Sequence, residues 1–340
     1  MNLEHGFSPD GLQEYLQSQL PDLKGAMRIE RIGGGQSNPT FFVSFDRGPE
    51  LVLRKQPAGE LLKSAHAIDR EYRILRALQP TGVPVPVALL FCEDRAVVGT
   101  PSYIMERLNG RVMSNYALPE ISPQDRLACL AELAATLARL HAVDWKGAGL
   151  EGFGKPGNFF ERQVSRWTRQ WEASKTAENP NINRLIAWLP ENIPQGEETV
   201  SAHGDFRLGN VMFHPSEPRI IGILDWELST LGHPLMDAAH SSLPWLTEPD
   251  EFEGLRGLGL PLLQLPTQRQ YLNLYLSASG RRADVLPFHH AFSLFRFAVI
   301  LEGILARARA GNAAGEDALA VGRLSDKFAR YAVELIAVDG

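Results

Sequence analysis

The sequence predicts an α+β protein of two lobes, a small strand-rich one with a single helix followed by a larger, mainly helical one. Three observations carry this. The chain's 340 residues exceed the length at which one hydrophobic core usually stops growing. Short β-type runs bounded by turn residues dominate the first hundred or so positions, and helical periodicity appears there only at defined places. Beyond Asn109-Gly110 the pattern shifts to long amphipathic stretches, which assigns residues 1–107 to one lobe and 108–340 to the other.

In chain order, Ser8-Pro9 pairs an N-cap with a proline at the first helical position and opens a short helix to about Leu20. MRIERI, TFFVSF and ELVLRK then read as antiparallel strands, separated by GGGQSN and DRGP, which are turn chemistry. SAHAIDREYRILRAL (64–78) is helical, with Ile68, Tyr72, Leu75 and Leu78 near one face. GVPVPVALLFCED and GTPSYIMERL supply two further strands. Residues 123–142 set Leu127, Leu130, Ala134, Leu137 and Leu140 or His141 on one core-facing stripe. NPNINRLIAWLPENIPQGEET reads as a proline-rich polar connection leading into SAHGDFRLGNVMFHP and RIIGILDWE, two short strands with loop residues between them. The remainder is helical, as over residues 288–309 and 316–337.

Composition narrows the function. Apolar residues are 44% and charged residues 22%, which is globular usage and excludes disorder. A net charge of −6 disfavours nucleic acid as a partner. The two cysteines, Cys92 and Cys129, are too far apart and too few for a disulfide framework or a cysteine zinc site, and fit a reducing compartment. The N-terminus lacks a basic region followed by an apolar core, and no run of about eighteen apolar residues occurs, so the reading is a cytoplasmic chain with no membrane partner.

Within GGGQSN, Gly34 and Gly35 let backbone N–H groups approach phosphates, and Ser37 and Asn38 add donors; a plain hairpin turn is the competing reading. Neither a Walker A loop nor a Rossmann fingerprint fits, because no G-x-x-x-x-G-K-[ST] occurs and a strand follows the glycines. Arg54 and Lys55 end the strand LVLRK, and since successive strand residues face opposite ways, only one can meet a nucleotide. Glu71, on the next helix, is the acid that would hold that cation.

HGDFRLGN carries the most chemistry. Asp205 and Asn210 reproduce the D-x-x-x-x-N spacing of a phosphoryl-transfer loop, with His203 two before the Asp. Asp205 can take the proton of an attacking hydroxyl, while Asn210 and Asp225, at the end of the strand RIIGIL, offer the hard oxygens that Mg²⁺ requires. An Asx-rich loop is the alternative for any one of these residues, and it weakens when all occur in order. The nine histidines show no H-E-x-x-H pattern, and no G-x-S-x-G elbow exists. The basic and aromatic stretch 155–175 reads either as a solvated amphipathic helix or as a substrate surface.

GGGQSNPT, LVLRK, REYRIL, SYIMERLNG, HGDFRLGN and ILDWE, in this order, resemble the aminoglycoside phosphotransferase/choline kinase-like superfamily over nearly the whole chain. The resemblance implies a bilobal protein-kinase-like fold, Mg²⁺ and ATP as cofactors, and a small-molecule hydroxyl as acceptor. It implies a catalytic Asp205 with His203, and Asp237 in GHPLMDAA bracing the catalytic loop. It also implies an adenine-binding hinge at Glu106 to Leu108, and it selects Arg54, where kinases usually carry Lys, as the phosphate cation. SAHAIDREYRILRAL, GFGKPGNFFERQVSRWTRQWE and LDWELSTLGHP resemble one branch more closely, the kinase-like domain fused to some acyl-CoA dehydrogenases. That branch implies a hydroxyacyl-CoA or related hydroxy acid as acceptor. An antibiotic phosphotransferase ranks lower, because polycations need an acidic acceptor site and residues 230–340 hold 12 acidic against 10 basic residues. A pseudokinase ranks lower too, because Asp205, Asn210 and Asp225 are all present.

Overall fold

The structure is a computed structural model that describes residues 6–33, 38–58, 67–252, 254–311 and 318–338. The chain divides into two compact units, Met1–Gly110 with Ile221–Glu227, and Arg111–Ile220 with Leu228–Gly340. The first unit therefore runs three residues beyond the boundary drawn at 107, and it also takes in the ILDWE segment from far along the chain.

The first unit opens with α1 (Pro9–Gln19), then β1 (Lys24–Arg31), β2 (Thr40–Arg47), β3 (Leu51–Lys55), α2 (Ile68–Leu78), β4 (Ala88–Cys92), α3 (Arg95–Val98) and β5 (Ser102–Glu106). Its strands form a five-stranded antiparallel sheet in the order β1-β2-β3-β5-β4. Side chains alternate across it, so Phe41, Val43 and Phe45 of β2 join Leu51, Leu53 and Ile104 on one face, where Leu12 and Leu16 of α1 pack. Each such fully buried Phe or Leu contributes about 1.5–3 kcal/mol relative to exposure. The opposite face carries Arg54, paired in register with Thr40 and with Tyr103.

That alternation decides between the two cations. Lys55 turns to the α1 side, where its ammonium donates to the Val98 carbonyl and sits 4.9 Å from the Phe7 ring. Arg54 is the residue facing α2.

In the second unit, α4 (Pro123–His141), α5 (Phe159–Ser174) and α6 (Pro180–Glu191) precede the short strands β6 (Val200–Ala202) and β7 (Val211–Phe213). β8 (Ile220–Ile223) leads into the 221–227 segment. Then come β9 (Thr230–Gly232), α7 (Pro234–Ser241), α8 (Gln268–Ser279), α9 (Pro287–Arg309), α10 (Ala318–Gly322) and α11 (Leu324–Val338). The core is built on α9, which is buried nearly all round through Phe288, Ala291, Phe292, Phe295, Ala298 and Val299.

Three expectations need correction. The segment expected to be a polar connection contains α6: Asn179 caps it by accepting from the Asn181 and Ile182 N–H groups, Pro180 takes the first turn, and Ile182, Leu185 and Leu189 face the core. The helix expected over 316–337 is broken into α10 and α11 around Arg323, with positions 316 and 317 outside the described residues. Leu127 is 50% exposed and leaves the α4 stripe, whose buried face runs instead through Leu130, Leu133, Ala134 and Leu137.

Candidate active site

In the first unit five polar groups meet under the sheet. Arg54, nearly buried, sets its Nε 2.7 Å from Glu71 Oε2, off the N–H direction, so this contact is ionic rather than a linear hydrogen bond. Its Nη2 donates to Asp225 Oδ1 at 2.8 Å. Glu71, 1% exposed, also accepts from Asn38 Nδ2 at 2.6 Å and from the Tyr103 hydroxyl at 3.1 Å. Burial alone would disfavour the Arg54 charge, but Glu71, then Tyr103 and Asp225, hold the guanidinium protonated.

Asp225 sits at φ 60°, in the left-handed region, directly after the strand. A Cβ on Gly222, three positions earlier, would meet the tip of the Leu108 side chain, which would have to turn aside. The Ile223 N–H fixes the segment to the Pro84 carbonyl at 2.8 Å. Glu106 spends its N–H on the Val87 carbonyl and its side chain on the Val87 N–H, each at 2.9 Å. Asn38 is placed as described, whereas Gly34, Gly35 and Ser37 lie outside the described residues.

In the second unit the HGDFRLGN segment links β6 to β7 and is held mainly from α7. Asp237, fully buried, accepts the His203 N–H on Oδ2 at 2.6 Å and the Gly204 N–H on Oδ1 at 2.9 Å. Burial raises the Asp237 pKa, and hydrogen bonding and charge from His141, with His203 and the Gly204 N–H, outweigh it and hold the carboxyl below the usual range. His203 is 0% exposed and its Nδ1 accepts the Asp205 N–H at 3.2 Å. Gly204 has φ 85°, and a Cβ there would run into the Leu228 carbonyl oxygen. The Tyr116 hydroxyl accepts the Leu208 N–H at 2.9 Å and donates to the Ser241 carbonyl, tying the same loop to the end of α7.

Asp205 is gripped on both oxygens. His240 Nε2 lies 2.7 Å from Oδ1, while Asn210 Nδ2 donates to Oδ2 at 2.7 Å and to the Asp205 carbonyl at 2.9 Å. Arg207 Nε approaches Oδ2 at 3.4 Å. Burial pushes the Asp205 pKa up, but His240, followed by Arg207 and Arg296, more than reverses this and keeps the carboxyl well below the usual carboxylate range. A cavity of about 350 Å³ opens on Asp205, with Arg207, His240 and Tyr116 at its polar end and Phe252, Phe297 and Phe328 along its wall. The three phenylalanine rings pack edge to face, 4.9–5.9 Å apart.

The residues fit a divalent cation, each taken by itself. Asn210 turns its amide nitrogen to Asp205, which leaves its side-chain oxygen without a hydrogen bond among the described residues. Asp225 engages Arg54 through Oδ1 and keeps Oδ2 available. Both are hard oxygens of the kind Mg²⁺ takes. Sequence reasoning missed His240, Tyr116 and the phenylalanine wall. The available signal for His240 was the D-x-x-H spacing on α7, which puts it on the same helix face as Asp237.

The family described as "Phosphotransferase enzyme family" matches residues 28–268. The chain belongs to this phosphotransferase family. A crystal structure from Ralstonia eutropha JMP134, assigned in name to the aminoglycoside phosphotransferases, is 40% identical, covers 97% of this chain and 98% of its own, and superposes with a TM-score of 0.88. Acyl-CoA dehydrogenase family member 10 of Mus musculus is 41% identical over 337 residues, which is 97% of this chain and 31% of that protein. Acyl-CoA dehydrogenase family member 11 of Gallus gallus is 37% identical over 347 residues, 98% of this chain and 44% of that protein. The chain thus spans between about a third and just under half of the length of these curated relatives. The chain has the expected protein-kinase-like α+β fold. Among the described residues, no helix is long and apolar enough to cross a membrane.

Proposed function

We propose that the protein transfers the γ-phosphate of ATP to the hydroxyl of a small molecule with an apolar chain, a hydroxyacyl-CoA or a related hydroxy acid. The observation that carries this is the Asp205 carboxylate, fixed on both oxygens at the end of an aromatic-walled cavity. Asp205 receives the acceptor hydroxyl's hydrogen bond and orients its oxygen toward the γ-phosphorus. It accepts the proton as the new O–P bond forms and ADP departs with the electron pair of the broken bond. A carboxyl held this far below its ordinary pKa is a weak base, so orientation comes first and proton transfer follows late, as suits a loose transition state.

Arg54, steadied by Glu71, pairs with the donor phosphates. The Leu108 backbone, which makes no hydrogen bond among the described residues, is available to adenine. Asn210 and Asp225 would hold Mg²⁺, which when bound neutralises charge on the phosphates.

The substrate class is supported by the cavity's chemistry. Phe252, Phe297 and Phe328 suit an acyl chain, and the cations Arg207 and Arg296 near Asp205 oppose a polycationic aminoglycoside. The names of the relatives, acyl-CoA dehydrogenase family members, point the same way. The test is phosphate transfer from ATP, followed by phosphorus NMR, against hydroxyacyl-CoAs, free hydroxy acids, amino sugars and choline-like alcohols. Phosphorylated hydroxyacyl or hydroxy-acid product is expected, and transfer confined to amino sugars would overturn the substrate assignment.

A further inference from the structure

His240 touches the Asp205 carboxylate, yet it lies just outside the GHPLMDAA motif that holds Asp237. It lies on α7 three residues after Asp237, on the same helix face. Asp237 grips the backbone just before Asp205, through the His203 and Gly204 N–H groups. His240 grips the Asp205 side chain itself, Nε2 to Oδ1 at 2.7 Å. One rigid turn of helix thus sets both the height of the loop and the direction of its carboxylate. The opposite oxygen is held by Asn210 Nδ2 at 2.7 Å, so removing His240 leaves the carboxylate pinned at one side only and able to swing about Asn210.

Packing alone does not account for a histidine here. Its ring is 6% exposed and meets the Phe297 ring edge to face at 6.1 Å, a setting that an apolar side chain would fill as well. Its other nitrogen, Nδ1, is buried with no hydrogen-bond partner among the described residues, which costs stability. The imidazole is kept at that position despite the unsatisfied atom, and the one polar contact it makes among the described residues is to Asp205.

We propose that His240 is a positioning residue for phosphoryl transfer, which fixes the Asp205 carboxylate in the orientation that receives the acceptor hydroxyl. The inference rests on the phosphotransfer role of Asp205 given above. It acts on the rate of the step and not on binding, because His240 grips Asp205 rather than the donor, and the acceptor's apolar contacts lie on the phenylalanine wall.

The test compares H240L, which removes the donor, with H240Q, whose amide nitrogen reaches the place of Nε2. H240L is expected to lower kcat by about 10- to 100-fold, the scale of a misplacement of about an ångström, with KM for ATP and acceptor changed less than about threefold. H240Q is expected to recover kcat to within about fivefold of the parent. Equal losses in H240L and H240Q, or an unchanged kcat in H240L, would overturn the proposal. If H240L does not fold, H240N, whose shorter amide stops short of Oδ1, takes its place with the same expected outcomes. Crystal structures of the variants give a readout independent of turnover: the Asp205 carboxylate should keep its orientation in H240Q and rotate in H240L, and an unmoved carboxylate in H240L contradicts the proposal. Absence of any phosphate transfer by the parent protein would count against the function of the site, while the crystallographic comparison would still decide the contact.

Discussion

At the scale of single residues, Arg54 shows how much one side chain's shape can do. Its guanidinium meets Glu71 with Nε and Asp225 with Nη2, two acids in different directions. A lysine ammonium is a compact point charge on a flexible stem and cannot present two edges at once. R54K should therefore raise KM for ATP by roughly tenfold, about the loss of one charge-assisted contact. Steady-state kinetics with varied ATP checks this, and an unchanged KM would contradict the role given to the fork.

Arg54 was also legible in the sequence up to a point. The alternation of a strand says that only one of Arg54 and Lys55 faces a given side, and the register with Tyr103 decides which. Asp205 and Asn210 were legible because five positions within one loop fix their meeting, now seen at 2.7 Å. His240 was not, since it comes to Asp205 from 35 positions away and only the docking of α7 brings it there.

At the scale of elements, α7 and the HGDFRLGN loop behave as one piece. Asp237, His240 and the Tyr116 to Ser241 contact all hold the loop to that helix. The loop can come this close only because residue 204 has no side chain. Its φ of 85° and the nearness of the Leu228 carbonyl exclude a Cβ. G204A should destabilise the protein by roughly 2 kcal/mol or more, seen as a lower denaturation midpoint, and should depress kcat with it. A midpoint equal to the parent's would show that the close approach is not real.

Elements were unevenly legible for physical reasons. The strands of the first unit announced themselves by alternation and turns, as with Phe41, Val43 and Phe45. α6 did not, because its two prolines, Pro180 and Pro190, read as breakers although one sits at the first turn and the other in the last. The phenylalanine wall joins residues 252, 297 and 328, which no local pattern relates.

At the scale of the molecule, the helical unit holds titratable groups that folding keeps neutral. Burial, reinforced by the neighbouring His233 and His290, pushes His289 down to about 3, and burial pushes His290 down to about 4. The unfolded chain takes up these protons near pH 6.5, well before the folded one does. Their contribution to stability is therefore complete above about pH 6.5 and is lost progressively as pH falls toward 4 and then 3. At pH 5 the loss is on the order of 1–2 kcal/mol for each. Urea midpoints at pH 7.5 and 5.0 should fall further apart in the parent than in an H289Q/H290Q variant, and equal shifts would contradict this origin.

The same unit carries the chemistry on which the whole account turns, a fixed Asp205 facing a cavity sized for a small acceptor. The most direct measurement is phosphate transfer from ATP to the best hydroxyl acceptor by the parent and by D205N, with ATP affinity measured alongside. Phosphorylated acceptor is expected from the parent, with kcat about 10²- to 10⁴-fold lower in D205N and ATP affinity nearly unchanged. Turnover in D205N equal to that of the parent would contradict it.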